Sequence, residues 1–186
     1  MIQKAEKKDV AAVSASYQEL FAYEAVHGNW TNWVPGLYPS ASTAQAAFED
    51  GTLYVLKESG VFCGSMILNQ IQPPEYQTID WQNTADASEI LVLHTLCIPP
   101  SQKGNGYGRQ LIEFAMQHAA QTGCKAVRLD TWAGNRPAAA LYQSMGFRLV
   151  GTGTMLLQGV IREQQIYFEK CIAVTQATFI IRITIT

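Results

Sequence analysis

Between Asp9 and Gln102 the chain has one basic residue, Lys57, while ten acidic residues lie between Asp9 and Glu89. A span carrying about −9 cannot offer the concentrated basic face that nucleic acid requires, so that class of partner is excluded. Cysteine is scarce as well. Cys63, Cys97, Cys124 and Cys171 stand singly, with no CxxC pair. This spacing excludes zinc and dithiol motifs, leaves no metal expected, and suits reduced core thiols of a cytoplasmic protein. No apolar run is long enough to cross a bilayer, and Met1 to Asp9 is polar and charged, so neither a membrane span nor a leader is expected. The sequon Asn29-Trp30-Thr31 then reads as chance. Internal repeats and low-complexity tracts are missing too.

What is present suits one domain. A chain of 186 residues with 48% hydrophobic content can bury a single sizeable core. From Lys103 onward nine Lys and Arg face four acids, about +5. The two halves are either ordinary solvated faces or two sides of a cleft, one for a polyphosphate ligand and one for a cationic partner.

The chain is organised around residues 98–109. Ile90 to Ile98 is apolar and branched, as in a central strand covered on both faces. Leu111, Ile112, Ala115, Met116 and Ala119 then recur at helical spacing. Gly104, Gly106 and Gly108 sit between, where a tight turn can bring backbone N–H groups close to a ligand. The helix dipole adds attraction for phosphate. The spacing fits neither a dinucleotide fingerprint nor a Walker loop.

Around this centre the patterns predict a short strand at Ile2 to Ala5 and a helix capped by Asp9 with Val10, Val13, Tyr17, Leu20 and Phe21 on its apolar face. Residues 27–39, with two tryptophans and a tyrosine among glycines and prolines, form a loop that either anchors to the core or walls a binding site. Ser40 or Ser42 caps a short helix ending near Asp50-Gly51. Residues 52–57 and 61–69 read as a hairpin, and 70–87 as a loop able to lean over a site beside the central strand. Ala126 to Trp132 reads as a strand parallel to the central one, reached by the helical crossover. Asn135 to Phe147 is a short helix, and Phe147 to Leu157 with Val160 to Lys170 closes the pattern as two antiparallel strands.

Two motifs carry a family resemblance. Lys103-Gly104-Asn105-Gly106-Tyr107-Gly108 resembles the pyrophosphate loop of the GCN5-related N-acetyltransferases, Arg/Gln-x-x-Gly-x-Gly/Ala, with Lys103 in place of Arg or Gln. Lysine keeps the cation without the planar fork. One crossover later, Asn135, an alanine-rich turn, Leu141-Tyr142 and Gly146-Phe147 resemble the family's second hallmark. The resemblance covers roughly Leu53 to Phe168. It implies an α/β fold with a mixed, mostly antiparallel sheet, splayed parallel central strands and flanking helices. It further implies acetyl-CoA as co-substrate, with backbone at Leu96, Cys97 and Ile98 pairing with pantetheine. The turn of Lys103, Gly104, Asn105, Gly106, Tyr107, Gly108 and Arg109 would meet the pyrophosphate, and Asn135 would contact the cofactor. Tyr142 would lie near the thioester sulfur as proton donor to the leaving thiol; otherwise it is a buried helix aromatic.

The amine acceptor must lose a proton to attack, because an alkyl amine has a pKa of about 10. The glutamate that many family members use falls on Val92 here. By strand alternation His94 shares a face with Ile90, Val92, Leu96 and Ile98, and is either the base or a satisfied core histidine. Glu89, taken to be at the strand's mouth, is the next candidate base, and Asp80 and Asp86 could attract the amine. The expected activity is acetyl transfer to a primary amine, small-molecule or peptide and cationic, by direct attack in a ternary complex. The alternative is a module that senses acetyl-CoA or CoA without turnover. The domain is expected over residues 1–170. The remainder, 171–186, is strand-like from Thr178, and either pairs with a sheet edge in the same subunit or in a homodimer, or is not native.

Overall fold

The computed structural model describes residues 1–157 and 159–173, so the strand expected from Thr178 lies outside the described residues. The strands are β1 (Ile2–Lys4), β2 (Leu53–Glu58), β3 (Val61–Asn69), β4 (Ile90–Cys97), β5 (Ala126–Trp132), β6 (Arg148–Leu157) and β7 (Ile161–Cys171). The helices are α1 (Val10–His27), α2 (Ala41–Glu49), α3 (Tyr107–Gln121) and α4 (Arg136–Ser144). The described strands form one sheet in the order β1-β2-β3-β4-β5-β7-β6, in which β4 and β5 run parallel and the other described pairs are antiparallel. None of the described helices is long and apolar enough to cross a membrane.

Two layers cover the sheet. Leu111, Ile112, Ala115 and Ala119 of α3 and Tyr142 of α4 pack with Leu91, Leu93, Val127, Leu129 and Phe168 on one face. Val13, Tyr17 and Phe21 of α1 with Ala44 and Ala47 of α2 cover Leu53, Val55 and Ile67 on the other. Each helix turns one apolar side to the sheet at its own period, whereas the central strands β3 and β4 are buried on both faces. Ser40 caps α2, accepting from Thr43 N at 3.4 Å. Asp9 precedes α1 but does not cap it; its carboxylate accepts from Glu6 N at 3.0 Å, closing a capping box on the short turn Lys7–Asp9, and meets Lys57 Nζ at 2.6 Å.

One expectation about the central strand is corrected. Ile67 faces His94 and Ser65 faces Cys97, so the β4 segment holds one residue more than β3 opposite it. The extra residue distorts Thr95 to φ +48°, whose hydroxyl shares a hydrogen bond with Tyr38 Oη at 2.6 Å. This bulge reverses the alternation. His94 stays on the α1 face with Val92, while Leu96 and Ile98 turn to the α3 face. Gly64 permits the close packing that follows, since a Cβ there would lie 2.5 Å from Ile98 Cδ1 and 3.1 Å from Cys97 O.

Candidate active site

The sheet opens where β4 and β5 part. They pair from Ile90↔Ala126 to Val92↔Arg128; beyond that β4 follows β3 to Cys97, and β5 follows β7 to Trp132. Residues 93–97 thus turn an edge without a β5 partner into the wedge, where an extended amide-bearing chain can add as a strand.

A groove of about 380 Å³ runs from this edge to the glycine turn, lined by Leu96, Cys97, Ile98, Lys103, Gly104, Gly106, Gly108 and Arg109, with Pro137, Ala138 and Leu141 opposite. Gly104 and Gly106 have φ of +89° and +76°, a left-handed backbone that side chains resist. Gly106 is the N-cap of α3 and brings no side chain to its amides, so the first-turn N–H groups are free to bind an anion. Lys103 Nζ stands 5.4 Å over the Tyr23 ring, and Arg109 Nη2 donates to Ser144 Oγ at 3.2 Å. Asn105 Nδ2 donates to Gln102 O at 3.2 Å, and the Tyr107 phenol donates to Glu58. Cys97 is buried against Ser16, its thiol pushed up to about 12 by burial, so it stays protonated. An extended pantetheine-like chain and a pyrophosphate fit this combination of free edge, bent turn and uncapped helix.

A second, more enclosed chamber of about 120 Å³ shares Thr31, Leu96, Asn135, Ala138 and Leu141 with the groove. Asn135 holds the shared wall. Its Oδ1 accepts from Ala138 N at 3.3 Å, capping α4, and its Nδ2 donates to Thr131 Oγ1 at 3.0 Å. Tyr142, Thr95, His94, Asp130, Glu163 and Gln165 are among the other polar residues of the lining, and no Lys or Arg among the described residues lines it. Trp33 and Tyr38 of the 28–39 loop form part of the wall. Tyr142 is 6% exposed, and burial raises its phenol, so it keeps its proton.

Asp130 is the residue that sequence reasoning passed over. It sits in β5 opposite Tyr167, and its Oδ1 accepts from Tyr76 Oη at 2.7 Å. Burial raises its carboxyl from 3.8 to about 6, against the lowering effect of that hydrogen bond. His94 also lines the chamber, and its Nε2 faces Asn69 Oδ1 at 3.0 Å and Ile71 O at 3.2 Å. Two oxygens there place the proton on Nε2, while burial pushes the imidazole down to about 4. His94 is therefore neutral near pH 7 and a weak base. Glu89 is elsewhere. It precedes Ile90, at the closed end of the β4–β5 pair, with its carboxylate 3.6 Å from Lys125 Nζ. Parallel strands open a crevice at their carboxyl ends, so a residue at the start of β4 is at the wrong end. Neither Asp80 nor Asp86 lines the chamber.

The sequence profile of the Acetyltransferase (GNAT) family matches residues 22–147. The chain belongs to this family. Among related GNAT proteins, a streptothricin acetyltransferase of Escherichia coli is 37% identical over 71 residues, 38% of this chain and 37% of that protein. A mycothiol acetyltransferase of Kocuria rhizophila is 36% identical over 64 residues, 34% of this chain and 21% of that protein. Each match spans well under half of the relative's length. The fold matches more widely. A GNAT acetyltransferase of Streptococcus agalactiae superposes with a TM-score of 0.77 at 16% identity, over 92% of this chain and 94% of that one. The yncA protein of Salmonella typhimurium, whose structure holds acetyl-CoA, gives 0.66 at 17% identity, over 92% and 93%. The mixed sheet expected from the two motifs is the fold of this GNAT chain.

Proposed function

We propose that the chain transfers an acetyl group from acetyl-CoA to an amine of a small cationic acceptor, by direct attack with both substrates bound. The observation that carries this reading is the shared wall of Thr31, Leu96, Asn135, Ala138 and Leu141, where an anion-binding groove meets a chamber lined by carboxylates and, among the described residues, by no lysine or arginine. Acetyl-CoA supplies an activated thioester. Residues 93–97 pair with its pantetheine, and the amides of the glycine turn with Lys103 take its pyrophosphate.

The Asp130 carboxylate draws the cationic acceptor in. The reacting nitrogen gives its ammonium proton to water before it attacks, and the Asp130 carboxylate, ionised above about 6, accepts the second proton as the bond to the carbonyl carbon makes that nitrogen acidic. Tyr142 retains its proton and gives it to the departing sulfur. His94 holds the chamber wall and lends polarity without exchanging a proton.

The first test is calorimetric titration with acetyl-CoA, followed by thiol release with a panel of amines. Saturable binding and amine-dependent release are expected. Lys103→Ala should weaken acetyl-CoA about two- to fivefold, the scale of one exposed charge contact. Tyr142→Phe should bind acetyl-CoA normally and turn over about 10²-fold more slowly. Binding without release from any amine would replace the enzyme with a sensor of acetyl-CoA, and no binding at all would remove the groove assignment.

A further inference from the structure

Glu163 and Gln165 are not needed by the chemistry just described. Both line the acceptor chamber from β7, and both are buried, at 6% and 3% exposure. Glu163 accepts from Asn32 Nδ2 and from Gln165 Nε2, both neutral amides, and burial raises its carboxyl above the ordinary range. Its charge meets no Lys or Arg of the chamber wall among the described residues. Gln165 adds an independent observation. With its Nε2 spent on Glu163, its Oε1 is buried without a hydrogen-bond partner among the described residues. An unpaired buried acceptor is costly, so the wall calls for a donor at this point.

The register places this pair relative to Asp130. Tyr167 lies opposite Asp130 and Gln165 opposite Trp132, so Glu163, Gln165 and Tyr167 follow one another at intervals of two on the face that carries Asp130. The acceptor chamber therefore has anions at two places, separated along the strands, with the aromatic rings of Trp33, Tyr38 and Trp132 in its walls.

We propose that Glu163 and Gln165 form a second recognition site for an ammonium group, so that the acceptor is a compact diamine or polyamine held at the end remote from the reacting nitrogen. The inference rests on the reading of this chamber as the acceptor site. An ammonium has three N–H donors and no acceptor, which matches a carboxylate beside a free amide oxygen. Water could satisfy the oxygen but would leave the charge unpaired. A monoamine answers one anion only, and an amino acid brings a carboxylate against both. The 28–39 loop fixes the selecting residue, since Asn32 reaches Glu163 from a left-handed conformation at φ +58°. That loop is itself held by Glu24, whose Oε1 accepts from Trp30 N and Thr31 N, each at 3.1 Å, and whose Oε2 accepts from Thr31 Oγ1 at 2.7 Å.

The test is calorimetric binding of putrescine and of butylamine to the full chain with CoA present, beside thiol release with each amine and acetyl-CoA. Putrescine should bind about tenfold more tightly than butylamine, the effect of one charge-assisted contact. Glu163→Gln should abolish that preference while leaving butylamine unchanged, and Gln165→Leu should reduce it severalfold. Thermal melts accompany both variants, and Gln165→Leu carries the test if Glu163→Gln does not fold. Equal binding of the two amines to the unmodified protein, or a preference that survives in Glu163→Gln, overturns the proposal. Thiol release with butylamine but no diamine preference removes this inference and keeps the acetyltransferase. A diamine preference without thiol release does the reverse.

Discussion

Asp130→Asn should lower turnover by about 10²–10⁴-fold, the range that loss of a general base produces, while acetyl-CoA binding is kept. The parent enzyme's kcat/KM should rise with pH through a limb near about 6, where Asp130 loses its proton, and the variant should lack that limb. A second consequence has the opposite sign for the fold. The carboxyl holds its proton more tightly folded than unfolded, so ionisation between 3.8 and about 6 costs the folded state, and stability falls as pH rises through that window. The difference corresponds to about 3 kcal/mol, fully present above about 6. Asparagine never ionises, and its oxygen still accepts from Tyr76. The variant should therefore melt higher than the parent near neutral pH, and the gap should close below about 4. Unchanged turnover in Asp130→Asn would move proton acceptance to water. A lower melting temperature near neutral pH would show that the carboxylate is not strained by burial.

What the sequence revealed and what it hid follow from the range of each interaction. The glycine turn and the Asn135 to Phe147 helix were legible because their geometry is set by residues within a turn or two. The wedge came with them through the family resemblance, and the pairing that ends at Val92↔Arg128 is its physical form. Asp130 was hidden because it occupies an ordinary position in a strand-like run, and its partner Tyr76 lies 54 residues away. Residues 70–87 were expected to lean over the site, and Tyr76 is the contact through which they do. The bulge at Thr95 carries no glycine or proline to announce it, so simple alternation misplaced Leu96 and Ile98 relative to His94. Glu89 was misplaced by polarity, since proximity along the chain does not say which end of a parallel pair opens. Glu163 and Gln165 gain meaning only when β7 is set beside β5, a pairing across more than thirty positions.

Arg128→Met should be the most destabilising single change near the site, by about 3–5 kcal/mol. Arg128 Nε donates to Glu169 Oε1 at 2.9 Å, with side-chain exposures of 6% and 0%. The guanidinium also donates to Gln72 Oε1 and to Asn83 O, each at 2.6 Å, and stacks 4.3 Å over Trp81. Glu169 Oε2 in turn accepts from Gln82 N at 2.7 Å and Asn83 N at 3.0 Å. Removing the arginine leaves a buried carboxylate without its cation, so the melting temperature should fall by roughly 10 °C. Arg128→Met with Glu169→Leu should recover much of the loss, because a buried ion pair replaced whole by apolar groups is often close to neutral. The double variant would still lack the anchor of the 70–86 loop, whose Tyr76 and Trp81 rings pack on Tyr167 over Asp130. Water would then reach Asp130, and because burial is the main cause of its raised carboxyl, the acid limb of kcat/KM should move down from about 6 towards ordinary carboxylates. A double variant that is stable yet keeps its limb near 6 would show that the loop's rings bury Asp130 without help from the ion pair. A shifted limb would make Arg128 and Glu169 positioning residues, which set the base's acidity through the loop they hold.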